Sequence, residues 1–181
     1  MKNVIAENYL CFPALLEMII NDAFDMNISQ FEIAEYFGIV VPCGYKRIIN
    51  NQSESSSSLD FGIHIDLEKI QEFFEKNRIK FKINYYEINR VSDICFADFI
   101  RKHLRHREYL ICSYSYGILY GKEYANELGH VSLISEVNVN DEVIIYDPGP
   151  DGYGKKLVNE LHLYDAIQYR HGGIYTFSID S

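Results

Sequence analysis

The sequence predicts an α+β fold, and three observations carry that reading. Apolar residues recur at helical spacing through the first part of the chain, strand-like alternation takes over in the last part, and no βαβ unit repeats between them. With 181 residues, 48% hydrophobic and 24% charged, the chain suits one globular domain over residues 1–181 with a real core.

The first helix opens at Cys11-Phe12-Pro13-Ala14-Leu15-Leu16. Pro13 lacks an N–H where a first turn has no use for one, and Ala14, Leu15, Met18, Ile19 and Ile20 follow on the apolar face. A second helix is written in Ser29 to Gly38, with a capping box at Ser29 and Glu32, apolar Phe31, Ile33, Ala34 and Phe37, and a terminating glycine. Val40 to Cys43 is apolar and stops at Gly44, and Tyr45 to Ile49 is read as one more turn.

Asn50 to Ser58 is too polar to order itself by burial, so a mobile surface loop is expected there, either a plain connection or a cover for a substrate site. Asp66 caps an amphipathic helix over Leu67–Asn77, with Leu67, Ile70, Phe73 and Phe74 on one face. Ile79 to Tyr85 alternates as a half-buried strand. Ser92 then caps a helix through Ile94, Phe96, Phe99, Ile100 and Leu104. That helix ends in the basic run Arg101 to Arg107, which either complements the helix dipole or offers an anionic partner a patch. His103 and His106 lie on one face, yet no carboxylate or thiol pattern completes a metal site beside them.

The remaining elements are mainly strands. They are Tyr109–Tyr114, His130–Val137 and Glu142–Asp147, the last two joined as a hairpin by Asn138 to Asp141. Gly149 to Gly154 is a glycine-rich connection that serves as a turn or lines a cleft. Leu157 to Tyr169 reads as one helix and Gly173 to Ile179 as a closing strand.

Lys+Arg 17 against Asp+Glu 26 gives a net charge of −9, which excludes generic nucleic-acid binding because that affinity rests on cations facing phosphates. No window approaches the roughly 18 apolar residues of a membrane span, so a cytoplasmic protein is expected. Cys11, Cys43, Cys95 and Cys112 are widely spaced with no CxxC, which reads as free thiols. Neither a metal nor another cofactor is predicted. The richness in tyrosine (15) has no functional reading at this level.

Three residues stand where chemistry would need them. Cys11 begins a helix, where dipole and free N–H groups favour a thiolate; His130 begins a strand after Gly129; Asp147 ends the partner strand of the hairpin. Strands about 4.8 Å apart bring such a histidine and aspartate to one end of a sheet. A thiolate, an imidazole and a group that fixes its tautomer are the requirements of acyl transfer by cysteine. Singly, each residue also has a plain reading: a small core thiol, a strand-end histidine, and an aspartate of an Asp-Pro-Gly turn.

Cys11-Phe12-Pro13-Ala14-Leu15-Leu16, Ile28-Ser29-Gln30 with Glu32-Ile33-Ala34 and Phe37-Gly38, Gly129-His130-Val131-Ser132-Leu133-Ile134, and Tyr146-Asp147-Pro148 together resemble the bacteriocin-processing, double-glycine leader peptidases, which are papain-like cysteine peptidases. The resemblance implies a papain-like fold with Cys11 as nucleophile, His130 as general base and acid, and Asp147 orienting His130. It also implies an oxyanion hole made by the nucleophile's N–H and a glutamine six positions earlier. That position holds Ile5, and Phe12 replaces the glycine usual after the cysteine. Asn8 is the nearest amide for the vacant role. Three functions stay open: a cysteine peptidase acting on a peptide, an acyltransferase drawing on an acyl-carrier substrate, and a catalytically inactive peptide-binding relative. The oligomeric state is not fixed by the sequence.

Overall fold

Pro13 and the apolar run behind it form α1 (Cys11–Phe24), whose buried face includes Phe12, Ala14, Leu15, Leu16, Met18 and Ile19. The computed structural model describes residues 3–91, 95–150 and 152–180. The Ser29–Glu32 capping box starts α2 (Gln30–Phe37), and Gly38 ends it at φ 78°, a conformation glycine adopts without Cβ strain. Phe31, assigned to the apolar face from its spacing, is 44% exposed.

The next segment differs from the sequence reading. Ile39–Pro42 forms β1 and Gln52–Ser55 forms β2, paired in parallel with Ile39 opposite Gln52. The serine-rich stretch is thus partly a strand. Its order comes from backbone pairing and polar ties rather than burial: the Gly44 N–H donates to Glu54, and the Ser55 hydroxyl donates to Asp60 at 2.6 Å. On its other side Val40 exchanges two hydrogen bonds with Gly62. The turn expected over 45–49 is not helical, because Arg47 binds the carbonyls of Ile49 and Asn50 while the Ile48 N–H donates to Gln52.

Asp66 caps α3 (Leu67–Lys76) as the sequence predicts. The alternating strand is β3 (Phe81–Glu87), shifted two residues downstream, and it leads into a short α4 (Ile88–Val91) that the sequence reading lacks. The cap assigned to Ser92 lies outside the described residues. The helix it was to start is α5 (Phe96–Arg105), and Glu160, brought in from far along the chain, accepts from its Ala97 N–H at 2.7 Å. Two members of its basic end are internally partnered: Arg101 pairs with Asp98 and Asp141, and buried His103 pairs with Glu108.

Then follow β4 (Tyr109–Ser115), a short α6 (Tyr116–Tyr120) absent from the sequence reading, and the hairpin of β5 (Gly129–Val137) and β6 (Glu142–Asp147). The helix expected over 157–169 divides into β7 (Gly154–Asn159) and α7 (Glu160–Tyr169). Asn159 is the dividing residue, since its side chain caps α7 by accepting from the His162 N–H. The chain closes with β8 (Gly173–Ile179).

Six strands make one antiparallel sheet in the order β3-β8-β4-β5-β6-β7. It is not assembled from the C-terminal half alone, because β3 forms one edge. Alternation along β4 sends Ile111 toward the core shared with α1 and α3, and Leu110 and Cys112 toward the core shared with α5 and α7. The sheet therefore lies between two helical layers. Among the described residues no helix is long and apolar enough to cross a membrane.

Candidate active site

The β5–β6 register sets the first half of the site. Leu133 pairs with Tyr146, so Asp147 falls beside Ser132, and His130 lies two residues farther along the same face. Such diagonal neighbours are within reach of long side chains. His130 Nε2 meets Asp147 Oδ1 at 2.8 Å. A bulge between Ile134 and Glu136 absorbs the change of register farther along the hairpin. A one-residue slip without it would put His130 and Asp147 on opposite faces.

Asp147 is fully buried and saturated with partners. Oδ1 also accepts the Gly149 N–H at 2.9 Å, and Oδ2 accepts the Tyr120 hydroxyl at 2.6 Å and faces Lys156 Nζ at 3.4 Å. Lys156 Nζ in turn sits 4.4 Å from the centre of the Tyr120 ring. Burial disfavours the carboxylate, but the hydrogen bond and charge of His130, with Tyr120 and Gly149, outweigh it and hold the group down at about 2. His130 shows the converse balance: burial opposes the imidazolium, yet hydrogen bonds and charge interactions with Asp147 and Cys11 lift it to about 9. The rings of Tyr114 and Tyr116 pack nearly perpendicular to the imidazole, with centroids 5.7 and 5.4 Å from its own, and restrict its rotation.

The structure thus brings Cys11, His130 and Asp147 together. With Nε2 committed to Asp147, the other ring nitrogen, Nδ1, is left for Cys11. Cys11 is the first residue of α1, and no side chain caps that helix, so the unpaired N–H groups of a first turn remain beside the thiol. The segment before it turns sharply at Tyr9, whose φ of 67° is uncommon for an aromatic residue; packing of its ring on Tyr45 at 5.0 Å and Phe61 at 5.8 Å holds it there. This turn places Asn8 at the cleft, where Nδ2 donates to the Tyr45 hydroxyl at 3.0 Å. Ile5 is 51% exposed.

Gln30 fastens this segment from α2. Its Oε1 accepts the Glu7 N–H at 2.9 Å, and its Nε2 donates to the Ile5 carbonyl at 3.0 Å. The Ala6 N–H donates to the Pro148 carbonyl at 2.8 Å, which ties the segment to the loop after Asp147. Sequence reasoning passed over Gln30, Tyr120 and Lys156. The unexplained tyrosine richness was the available signal, since Tyr114, Tyr116 and Tyr120 all surround the His130–Asp147 pair.

Cys11 and His130 lie where two lobes of one cleft meet, of about 260 and 190 Å³. Gly149 and Pro150 line the larger lobe, so the glycine-rich connection does border the cleft. Phe61 borders both lobes, and the segment following the serine-rich stretch forms a wall. Among the described residues no group of three His, Cys, Asp or Glu side chains is arranged to hold a metal. All four cysteines are free thiols; Cys112 is buried and Cys43 and Cys95 are exposed.

No family model matches the sequence, nor does any curated protein. Among solved structures, the chain superposes on a Bacillus anthracis protein described as a C39-like peptidase, with a TM-score of 0.64. The fold is papain-like. The superposition covers 99% of this chain and 95% of the other at 11% sequence identity, so the two share the architecture of a C39-like peptidase while almost every side chain differs.

Proposed function

We propose that this chain is a thiol hydrolase that cleaves a peptide or amide bond, with Cys11 as nucleophile, His130 as proton carrier and Asp147 as the group that orients it. The observation that carries this reading is the imidazole of His130, bonded to Asp147 at 2.8 Å and interacting with Cys11, at the junction of the cleft. Cys11 Sγ attacks the substrate carbonyl carbon, and the developing oxyanion meets the Cys11 N–H at the start of α1. His130 then delivers its proton to the departing nitrogen as the C–N bond breaks, leaving a thioester. Water attacks that thioester while His130 takes its proton, and the acid product leaves with Cys11 restored.

Asn8 supplies the second oxyanion donor. A carboxamide carries two N–H bonds, and holding one on Tyr45 fixes the plane in which the other points. A leader peptide, the substrate of the bacteriocin-processing peptidases that the sequence resembles, is the first class to try. The exposed free thiols fit a reducing, cytoplasmic setting.

Ile5, at the expected glutamine position, favours a second reading in which the cleft binds peptides without turnover. The rate of Cys11 alkylation by iodoacetamide against pH, in the native chain and in His130→Ala, separates the two. Fast labelling at pH 6 that disappears without His130 is expected. An inert Cys11, or equal rates in both proteins, overturns the hydrolase.

A further inference from the structure

The smaller lobe of the cleft carries a cation that the proposed chemistry does not use. Arg170, just beyond the end of α7, borders this lobe together with Cys11, Gly129, His130 and His64. Its Nη1 donates to the Glu127 backbone carbonyl, which anchors the guanidinium without neutralising it. The Glu127 carboxylate is engaged elsewhere, accepting from the Tyr169 hydroxyl at 3.3 Å. Among the described residues no carboxylate forms an ion pair with Arg170.

The neighbouring strand makes room for this charge. A Cβ on Gly129 would meet Arg170 Nη2 at 2.9 Å and Cζ at 3.3 Å, so the guanidinium lies against bare backbone one residue before His130. In a chain of net charge −9, an unpaired guanidinium held beside a reactive thiol is a local reversal of sign. Its planar fork offers donors suited to two carboxylate oxygens at once.

We propose that the Arg170 lobe is a specificity subsite that takes an acidic side chain, Glu or Asp, of the peptide lying across Cys11, with His64 as a further polar contact. This rests on the reading of the cleft as a peptide site. Selection there depends on the charge-assisted hydrogen bond, because an isosteric amide fills the same space and leaves the guanidinium unpaired.

The test uses blocked nonapeptide amides of alanine and glycine, with Glu or Gln walked through each position. Binding is measured to the Cys11→Ala protein, and hydrolysis by the native protein. At one position or two adjacent ones, Glu is expected to bind about tenfold tighter than Gln, the size of one charge-assisted bond. Arg170→Gln should bring the ratio of Glu-peptide to Gln-peptide affinity to about one, and Arg170→Lys should restore part of it. Equal binding of Glu and Gln peptides at every position, no saturable binding of any, or a Glu preference that survives Arg170→Gln overturns the subsite. Arg170-dependent binding without hydrolysis leaves the subsite standing and sinks the hydrolase. Hydrolysis without an acidic preference does the reverse.

Discussion

The two sides of Cys11 are built differently. His130 and Asp147 belong to neighbouring interior strands of a six-stranded sheet, and Asp147 is bonded by four separate groups. The opposite side, with Ile5 and Asn8, is a stretch of coil fastened by the Gln30 side chain and one bond to Pro148. The histidine–aspartate half is over-determined, while the half proposed to bind the oxyanion is held by side-chain ties from Gln30 and Tyr45, ring packing of Tyr9 and the bond to Pro148.

The largest expected effect comes from removing the pair itself. Cys11→Ser and His130→Ala should each lower peptide hydrolysis by at least ~10⁴-fold, measured as kcat/KM on any cleaved peptide. Asp147→Asn should cost about 10³- to 10⁴-fold, and because the carboxylate helps raise His130 to about 9, the alkaline limb of the pH profile should move to lower pH in that variant. A limb that stays put would mean that Asp147 does not govern the imidazole.

The weaker half is probed next. Asn8→Ala is expected to reduce kcat about a hundredfold with little change in KM, the pattern of a donor used only in the transition state. An unchanged kcat assigns the second donor elsewhere. Gln30→Ala removes the two side-chain ties from α2 to the segment's backbone and should lower unfolding stability by roughly 1–3 kcal/mol, read by denaturant titration.

The smallest effect is on the pH dependence of stability. The raised His130 contributes stability that is complete below its ordinary value near 6.5 and is lost as pH rises through about 9. The lowered Asp147 contributes stability present above its ordinary value near 3.8 and lost as pH falls through about 2. The difference in denaturant midpoint between the native chain and Asp147→Asn should therefore be widest between those two ordinary values and shrink toward either extreme.

The hairpin was legible because the turn residues Asn138 to Asp141 separate two apolar-rich runs, α1 because Pro13 precedes an apolar stripe, and α2 and α3 because their caps and apolar residues coincide. β2 was hidden because its serines and glutamate match no strand pattern; it is ordered by a partner strand and by Asp60. β7 was merged with α7 because exposed Leu157 looked like part of a helical stripe, although Asn159 carried a usable cap signal. Cys11, His130 and Asp147 were readable from their positions at element ends. Tyr120, Lys156 and Arg170 were not, since they reach the cleft through folding of distant segments and sit in no local motif.

The bond from the Ala6 N–H to the Pro148 carbonyl joins points separated by most of the length of the chain. A ribosome delivers the thiol and its helix early, but the imidazole and carboxylate arrive only after most of the sequence has emerged. Under the proposed chemistry, cleavage waits until synthesis has passed Pro148, so a nascent polypeptide would not yet attack its neighbours or itself. A fragment ending before β5 would contain Cys11 and neither His130 nor Asp147.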